Sequence, residues 1–136
     1  MLDQLRGIVQ SVNAAKDLKS ALNIIVHRVR ETLKTQVCSV YLFDTDVNSN
    51  VLMASDGLKK EAIGNVSLDM GEGLVGLVAM HAEPINLQDA SKHPSYHYIK
   101  ETGEEIFHAF LGVPIIHHRS VLGVLVVQHE ELRAFG

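Results

Sequence analysis

Apolar side chains recur at helical spacing through the first quarter of the chain. Leu2, Leu5, Val9 and Val12 follow one another at intervals of three and four, a narrow stripe of the kind that seams two helices together. Asp17 can cap a second helix over 18–33, where Leu18, Leu22, Ile25, Val29 and Leu33 repeat beside Ala21 and Val26, a broader face suited to lie on a sheet. From residue 37 the period changes. Residues 37–43 are a continuous β-branched and aromatic run closed by the polar stretch 44–50, and 51–55 resumes as the antiparallel neighbour, because so short a connection fits a hairpin and not a crossover. Residues 63–68 read as a third short strand, and 74–81 as a short helix stopped by Glu83-Pro84. Polar, irregular sequence fills 86–105. Then 109–116 and 121–128 form two strongly apolar strands joined by His117-His118-Arg119-Ser120, a second hairpin expected at the centre of the sheet.

This order predicts an α+β domain: an antiparallel sheet with the N-terminal helices on one face and a layer of loops and a short helix on the other. A pocket can lie between such a rigid sheet and its loop layer. Residues 130–136 read as the first turn of a further helix, so residues 1–136 are expected to be one domain cut from a longer protein, with a final flanking helix missing.

Composition narrows the function. At 136 residues with 46% hydrophobic content, one core can form without disulfides or a structural metal, and the single Cys38 has no partner for an internal bridge. A net charge of −4 without long like-charged runs argues against a nucleic-acid partner. Neither a spanning apolar stretch nor a basic, apolar leader is present, which predicts a cytoplasmic protein with no membrane partner.

Gly71-Glu72-Gly73-Leu74-Val75-Gly76 spells G-x-G-x-x-G, with Asp89 downstream at the distance of a ribose-binding acid. The strand before it is short and half polar, however, and the helix after it is too short for a dinucleotide crossover. The simpler reading is a tight turn at Gly71 and Gly73, with Gly76 letting the helix pack closely on the sheet; the helix N-terminus could still hold an anionic group. Eight histidines invite a metal site, and His93 with His97 has i, i+4 spacing, but nothing completes a ligand set, and adjacent His117 and His118 would face opposite ways in a strand. Cys38 lies in an apolar strand, where a thiol packs as a small hydrophobe. No spacing signature of a catalytic triad or carboxylate pair stands out, so no catalytic residue and no metal ligand is assigned.

Several stretches together resemble a GAF domain, a small-molecule sensor module: Val37-Cys38-Ser39-Val40-Tyr41-Leu42-Phe43-Asp44, the Gly71–Gly76 string, Asn86-Leu87-Gln88-Asp89-Ala90 with His93-Pro94, and Gly112-Val113-Pro114-Ile115-Ile116. A closer likeness is to the amino-terminal GAF domains of the phosphoenolpyruvate-protein phosphotransferases of the nitrogen phosphotransferase system. It rests on Leu52-Met53-Ala54 with Gly57-Leu58-Lys59-Lys60, Glu83-Pro84-Ile85-Asn86-Leu87, Lys92-His93-Pro94-Ser95, and Ala109-Phe110-Leu111-Gly112-Val113-Pro114-Ile115-Ile116 followed by Leu122-Gly123-Val124-Leu125-Val126-Val127-Gln128.

That resemblance implies a regulatory domain sensing nitrogen status through an amino acid or 2-oxo acid, glutamine or 2-oxoglutarate. The domain itself would not be an enzyme. Autophosphorylation from phosphoenolpyruvate with Mg²⁺, and transfer to a histidine phosphocarrier protein, would belong to downstream phosphotransferase domains. The positions matching a GAF ligand pocket are Ser39, Tyr41, Ser55, Asp56, Leu74, Val75, His97, Thr102, Glu105 and His108. Strand alternation independently sets Ser39 and Tyr41 on one face, opposite Cys38 and Val40. The N-K-F-D-E pattern of cyclic-nucleotide-binding members is not visible. The alternative is an interaction module without a ligand, a homodimer paired through Leu2, Leu5, Val9 and Val12.

Overall fold

The computed structural model describes residues 2–96, 107–133 and 135, with side chains of the first helix described from Asp17 onward. Helix α1 runs unbroken over Leu2–Leu33, where the apolar spacing predicts two helices. Asp17 is an interior residue and not a cap. The segment Asn13-Ala14-Ala15-Lys16-Asp17 contains neither Gly nor Pro, and its alanines and lysine favour the helix enough to carry one Asp through. At 1.5 Å per residue, the helix is about 48 Å long. The side chains of Leu2, Leu5, Val9 and Val12 lie outside the described ones.

Among the described residues six strands follow: β1 Val37–Asp44, β2 Ser49–Asp56, β3 Ser67–Leu68, β4 Ile85–Leu87, β5 Ala109–His117 and β6 Ser120–His129. All pair antiparallel in the order β3-β2-β1-β6-β5-β4. The two hairpins fall where the polar breaks put them, but the central pair is β1 with β6, and β5 sits one place out. The third strand is shorter than 63–68 because a 3-10 turn at Lys60–Ala62 occupies the chain just before it, leaving Ile63 outside the ladder. The three-residue β4 escapes a reading by periodicity altogether. Helix α2, Gly73–His81, ends in a left-handed Ala82 just before Glu83-Pro84. Residues 130–133 form no helical turn.

Strand alternation divides the core in two. On one face Leu22 and Val26 of α1 pack with Cys38, Val40, Ala54, Ala109 and Val127. On the other, Leu74, Val75, Val78 and Ala79 of α2 pack with Tyr41, Leu52, Phe110, Val124 and Val126. Of the predicted sheet-facing stripe on α1, Leu22 and Val26 are buried and Val29 and Leu33 half-buried, whereas Leu18 and Ile25 remain 49% and 44% exposed. The reason is position: α1 lies over β1 and β2, so its flank hangs beside an apolar groove of about 590 Å³ floored by Val40, Leu42, Val113, Ile115 and Leu125. Cys38, fully buried, has its thiol pKa pushed up to about 12 by that burial.

Polar contacts fix α1 against the end of β2. His27 Nδ1 lies 2.9 Å from Asp56 Oδ2 and Nε2 lies 3.0 Å from Glu31 Oε1, while Arg30 Nη1 donates to Asp56 Oδ1 at 3.2 Å. The hydrogen bond to Asp56, then the charge of Glu31, hold the His27 pKa above its ordinary value. A raised folded-state pKa contributes stability fully present below the unfolded value of about 6.5 and lost as pH rises through the folded value. His27→Gln is therefore expected to lower the thermal midpoint at pH 6 relative to the parent chain, by a difference that shrinks as pH rises; a difference independent of pH would contradict the pairing.

A Cβ on Gly123 would sit 2.0 Å from the Tyr41 carbonyl oxygen, backbone that the β1–β6 ladder holds in place. Gly123→Ala should destabilise by about 1–3 kcal/mol, read as an earlier denaturant midpoint.

Candidate functional site

The α2 face of the sheet carries the site, and residue parity decides what reaches it. Along β1, Val37 and Tyr41 join the α2-side core while Cys38 and Val40 join the α1 side, which puts Ser39 with Tyr41 as alternation predicts. Along β6, Val124, Val126 and Gln128 share that face by the same parity, so a buried amide ends an apolar row. Tyr41 is 1% exposed and Gln128 5%.

Above this floor, α2 begins at a turn that requires glycine: Gly71 and Gly73 both have positive φ, 81° and 65°. Glu72, at the N-cap, leaves the helix uncapped by its side chain and instead accepts from the Asp69 N–H at 2.9 Å. The turn expected from the glycine-rich string is present, but Gly76 serves a different contact. Its added Cβ would meet the Asp69 carbonyl at 2.5 Å and the Gly71 backbone at 2.9 Å, so Gly76 lets α2 fold back on its own leading turn and not on the sheet. Gly71 N–H donates to the Gly76 carbonyl at 2.9 Å and closes that turn.

Between floor and helix lies a cavity of about 30 Å³, room for a water-sized occupant. Tyr41, Gln128 and Phe110 line it from the sheet, Gly73, Leu74 and Val75 from α2, and Leu68, Ala90, Tyr96 and Phe107 from the surrounding chain. None of these carries a formal charge. A phenol, a side-chain amide and the first N–H groups of a helix can hold a small polar molecule by hydrogen bonds within an apolar enclosure.

Of the residues predicted for the pocket, Tyr41, Leu74 and Val75 meet at this cavity. Ser39 and Ser55 lie on the same face but outside the lining, where their hydroxyls bond each other at 2.8 Å and Ser55 Oγ also accepts from the Leu58 N–H. Asp56 is on the opposite face. It pairs with Cys38 across the ladder, one parity step from Ser55, and its carboxylate is taken by His27 and Arg30 of α1. His108 stands beside the cavity with Nδ1 3.4 Å from Asp89 Oδ1, and its carbonyl accepts from the Ala90 N–H at 2.6 Å. Asp89 also accepts from the Ser91 hydroxyl and N–H; the hydroxyl bond above all, with His108 adding, holds its carboxyl below the usual carboxylate range. His97, Thr102 and Glu105 lie outside the described residues.

Leu68, Gly73, Ala90, Tyr96, Phe107, Phe110 and Gln128 line the cavity without being among the predicted positions. A signal existed for Gln128: it is the polar member of the Val124, Val126, Gln128 row facing Tyr41's side. Ala90, Tyr96 and Phe107 come from segments without periodicity, so nothing in their spacing marks them.

Comparison with known proteins places this architecture. The family model described as GAF domain matches residues 17–135. A protein of Escherichia coli (strain K12) described as phosphoenolpyruvate-dependent phosphotransferase system is 55% identical over 135 residues, 99% of this chain but only 18% of its own length. The GAF domain of a Coxiella burnetii phosphoenolpyruvate-protein phosphotransferase is 46% identical with a TM-score of 0.83, matching 100% of this chain and 81% of that one. Its Acinetobacter counterpart is 44% identical with a TM-score of 0.79, over 99% and 80%. With the family model spanning nearly every described element and the same sheet recurring in these relatives, the chain belongs to the GAF domain family.

Proposed function

We propose that this chain is the sensory domain of a phosphoenolpyruvate-protein phosphotransferase of the nitrogen phosphotransferase system. In this reading a nitrogen-status metabolite, glutamine or 2-oxoglutarate, occupies the cavity beneath α2 and sets the autophosphorylation of domains that follow. One observation carries it: Tyr41 and Gln128 bring polar atoms to the floor of a chamber whose described lining has no formal charge, directly under the N-terminus of α2. A phenol and a side-chain amide held in place beneath a helix N-terminus offer a polar ligand fixed points of contact. With no charged side chain in the described lining, the free N–H groups of α2 are the groups that would receive a ligand carboxylate.

The kinship at 55% identity supports the assignment to this system. Phosphoryl transfer from phosphoenolpyruvate, its Mg²⁺, and the histidine phosphocarrier that accepts the group belong to the four-fifths of the relative beyond this match, in the cytoplasm; no residue of this chain is assigned to that chemistry. A water-sized cavity admits a metabolite only if Tyr96 and Phe107 give way, so binding selects a more open state.

Titration calorimetry tests the reading. Glutamine or 2-oxoglutarate should give saturable heat, and Tyr41→Phe, which keeps the ring and deletes the hydroxyl, should weaken binding about five- to ten-fold. No heat from either compound at millimolar concentration would remove the sensor role.

The groove beside α1 favours a second reading, a homodimer, because Leu18, Ile25 and Leu122 leave large apolar side chains open to solvent along it. Ile25→Asp should then convert a dimer to a monomer in sedimentation, and Leu5→Asp should do so if the N-terminal stripe shares the seam; profiles unchanged by both would exclude the homodimer.

A further inference from the structure

Beyond β6 the chain turns back across the domain and is fastened at successive points. Glu130 N–H donates to Gln36 Oε1, and Gln36 Nε2 donates to Glu130 Oε2 at 3.4 Å. Arg133 donates from Nη2 to the Leu33 carbonyl at 2.8 Å and from Nη1 to the Lys34 carbonyl at 3.1 Å. These carbonyls close α1, where intrahelical donors run out and a cation is favoured. The same guanidinium lies 4.9 Å from the centre of the Phe135 ring, which is buried in the α1-side core. The Phe135 backbone then meets the Asn86 side chain in both directions: its N–H donates to Oδ1 at 3.3 Å, and its carbonyl accepts from Nδ2.

Asn86 is the middle residue of β4, an edge strand that among the described residues pairs with β5 alone. Four positions on, Ala90 is a wall of the cavity. The Ala90 N–H donates to the His108 carbonyl, and the His108 N–H donates at 3.0 Å to the carbonyl of His129, the residue where β6 ends and the returning segment starts. The cavity wall therefore reaches the returning segment by two routes, through β4 to Phe135 and through His108 to His129. The returning segment in turn holds the end of α1.

We propose that residues 130–133 and Phe135 are a coupling strap, through which the placement of the cavity wall at 86–90 and the docking of the last turn of α1 are energetically linked. Asn86 and Arg133 are its positioning residues; neither lines the cavity. A short edge strand with one ladder partner is among the first parts of a sheet to yield. An outward shift of Ala90 loads Asn86, then Phe135 and Arg133, and frees the α1 carbonyls that Arg133 holds. The link is a property of the fold alone. Its use in signalling rests on the sensor reading above.

Amide hydrogen exchange on the unliganded chain tests it. Asn86→Ala should speed exchange at Lys34 and Thr35, whose N–H groups bond Glu31 and Arg30 carbonyls at the end of α1. Arg133→Gln should speed exchange at Ala90 and His93 beside the cavity. Each remote increase is expected to exceed, by about five-fold or more, any change in the amides of β1 and β6. If Asn86→Ala loosens those reference strands equally, Asn86→Asp, which loses the donor and keeps the acceptor for Phe135, is read the same way. Increases confined to 85–92 in the Asn86 variants, and to 33–36 and 130–135 in Arg133→Gln, would overturn the proposal. A calorimetric blank with glutamine leaves these rates untouched, so failure of the ligand and failure of the strap are told apart.

Discussion

The register between β1 and β6 is the constraint on which both cores and the cavity rest. Their ladder runs from Val37 opposite Gln128 to Leu42 opposite Gly123 without a break. Because side chains alternate faces, a slip of one residue would turn Ser39, Tyr41 or Gln128 toward α1 and push Cys38, Val40 or Val127 into the chamber. Polar groups would then be stranded in an apolar layer, and the floor beneath α2 would lose its hydrogen-bonding atoms. Gly123 secures the arrangement at one end, since the Tyr41 carbonyl occupies the space of the missing side chain. At the other, the Thr35 hydroxyl donates to the Gln128 carbonyl at 2.6 Å and ties the α1–β1 turn to β6.

Much of this was legible in the chain. Long apolar runs such as 37–43 and 121–128 declare themselves, and polar breaks at 44–50 and 117–120 locate the hairpins, because turn chemistry and burial act over a few neighbouring residues. The continuous α1 was not legible from apolar spacing, since the change of stripe near Asp17 looks like a boundary, while the helix persists wherever no residue breaks it. The three residues of β4 are too few to show a period; their pairing with β5 is a long-range choice.

The site divides along the same line. Tyr41, Leu74 and Val75 were accessible because each sits in a periodic element whose buried face can be worked out. Asp56 was misplaced because its neighbour Ser55 faces the α2 side, and adjacent strand residues cannot share a face. Its charge finds Arg30 and His27 instead, which is the ordinary resolution for a carboxylate at a half-buried strand end. The walls contributed by Ala90 and Phe107 depend on the hydrogen bond between Ala90 and His108, a contact between distant segments with no trace in local pattern.

Cys38 gives the fold an internal clock. Its sulfur is sealed between sheet and helix, and burial keeps it in the unreactive thiol form. An unfolded cysteine near its free value of about 8.5 is readily alkylated at mildly alkaline pH. The rate at which a reagent marks this one atom therefore counts openings of the β1 layer, with no engineered label, and separates events that part the sheet from α1 from those that disturb only the chamber on its far side.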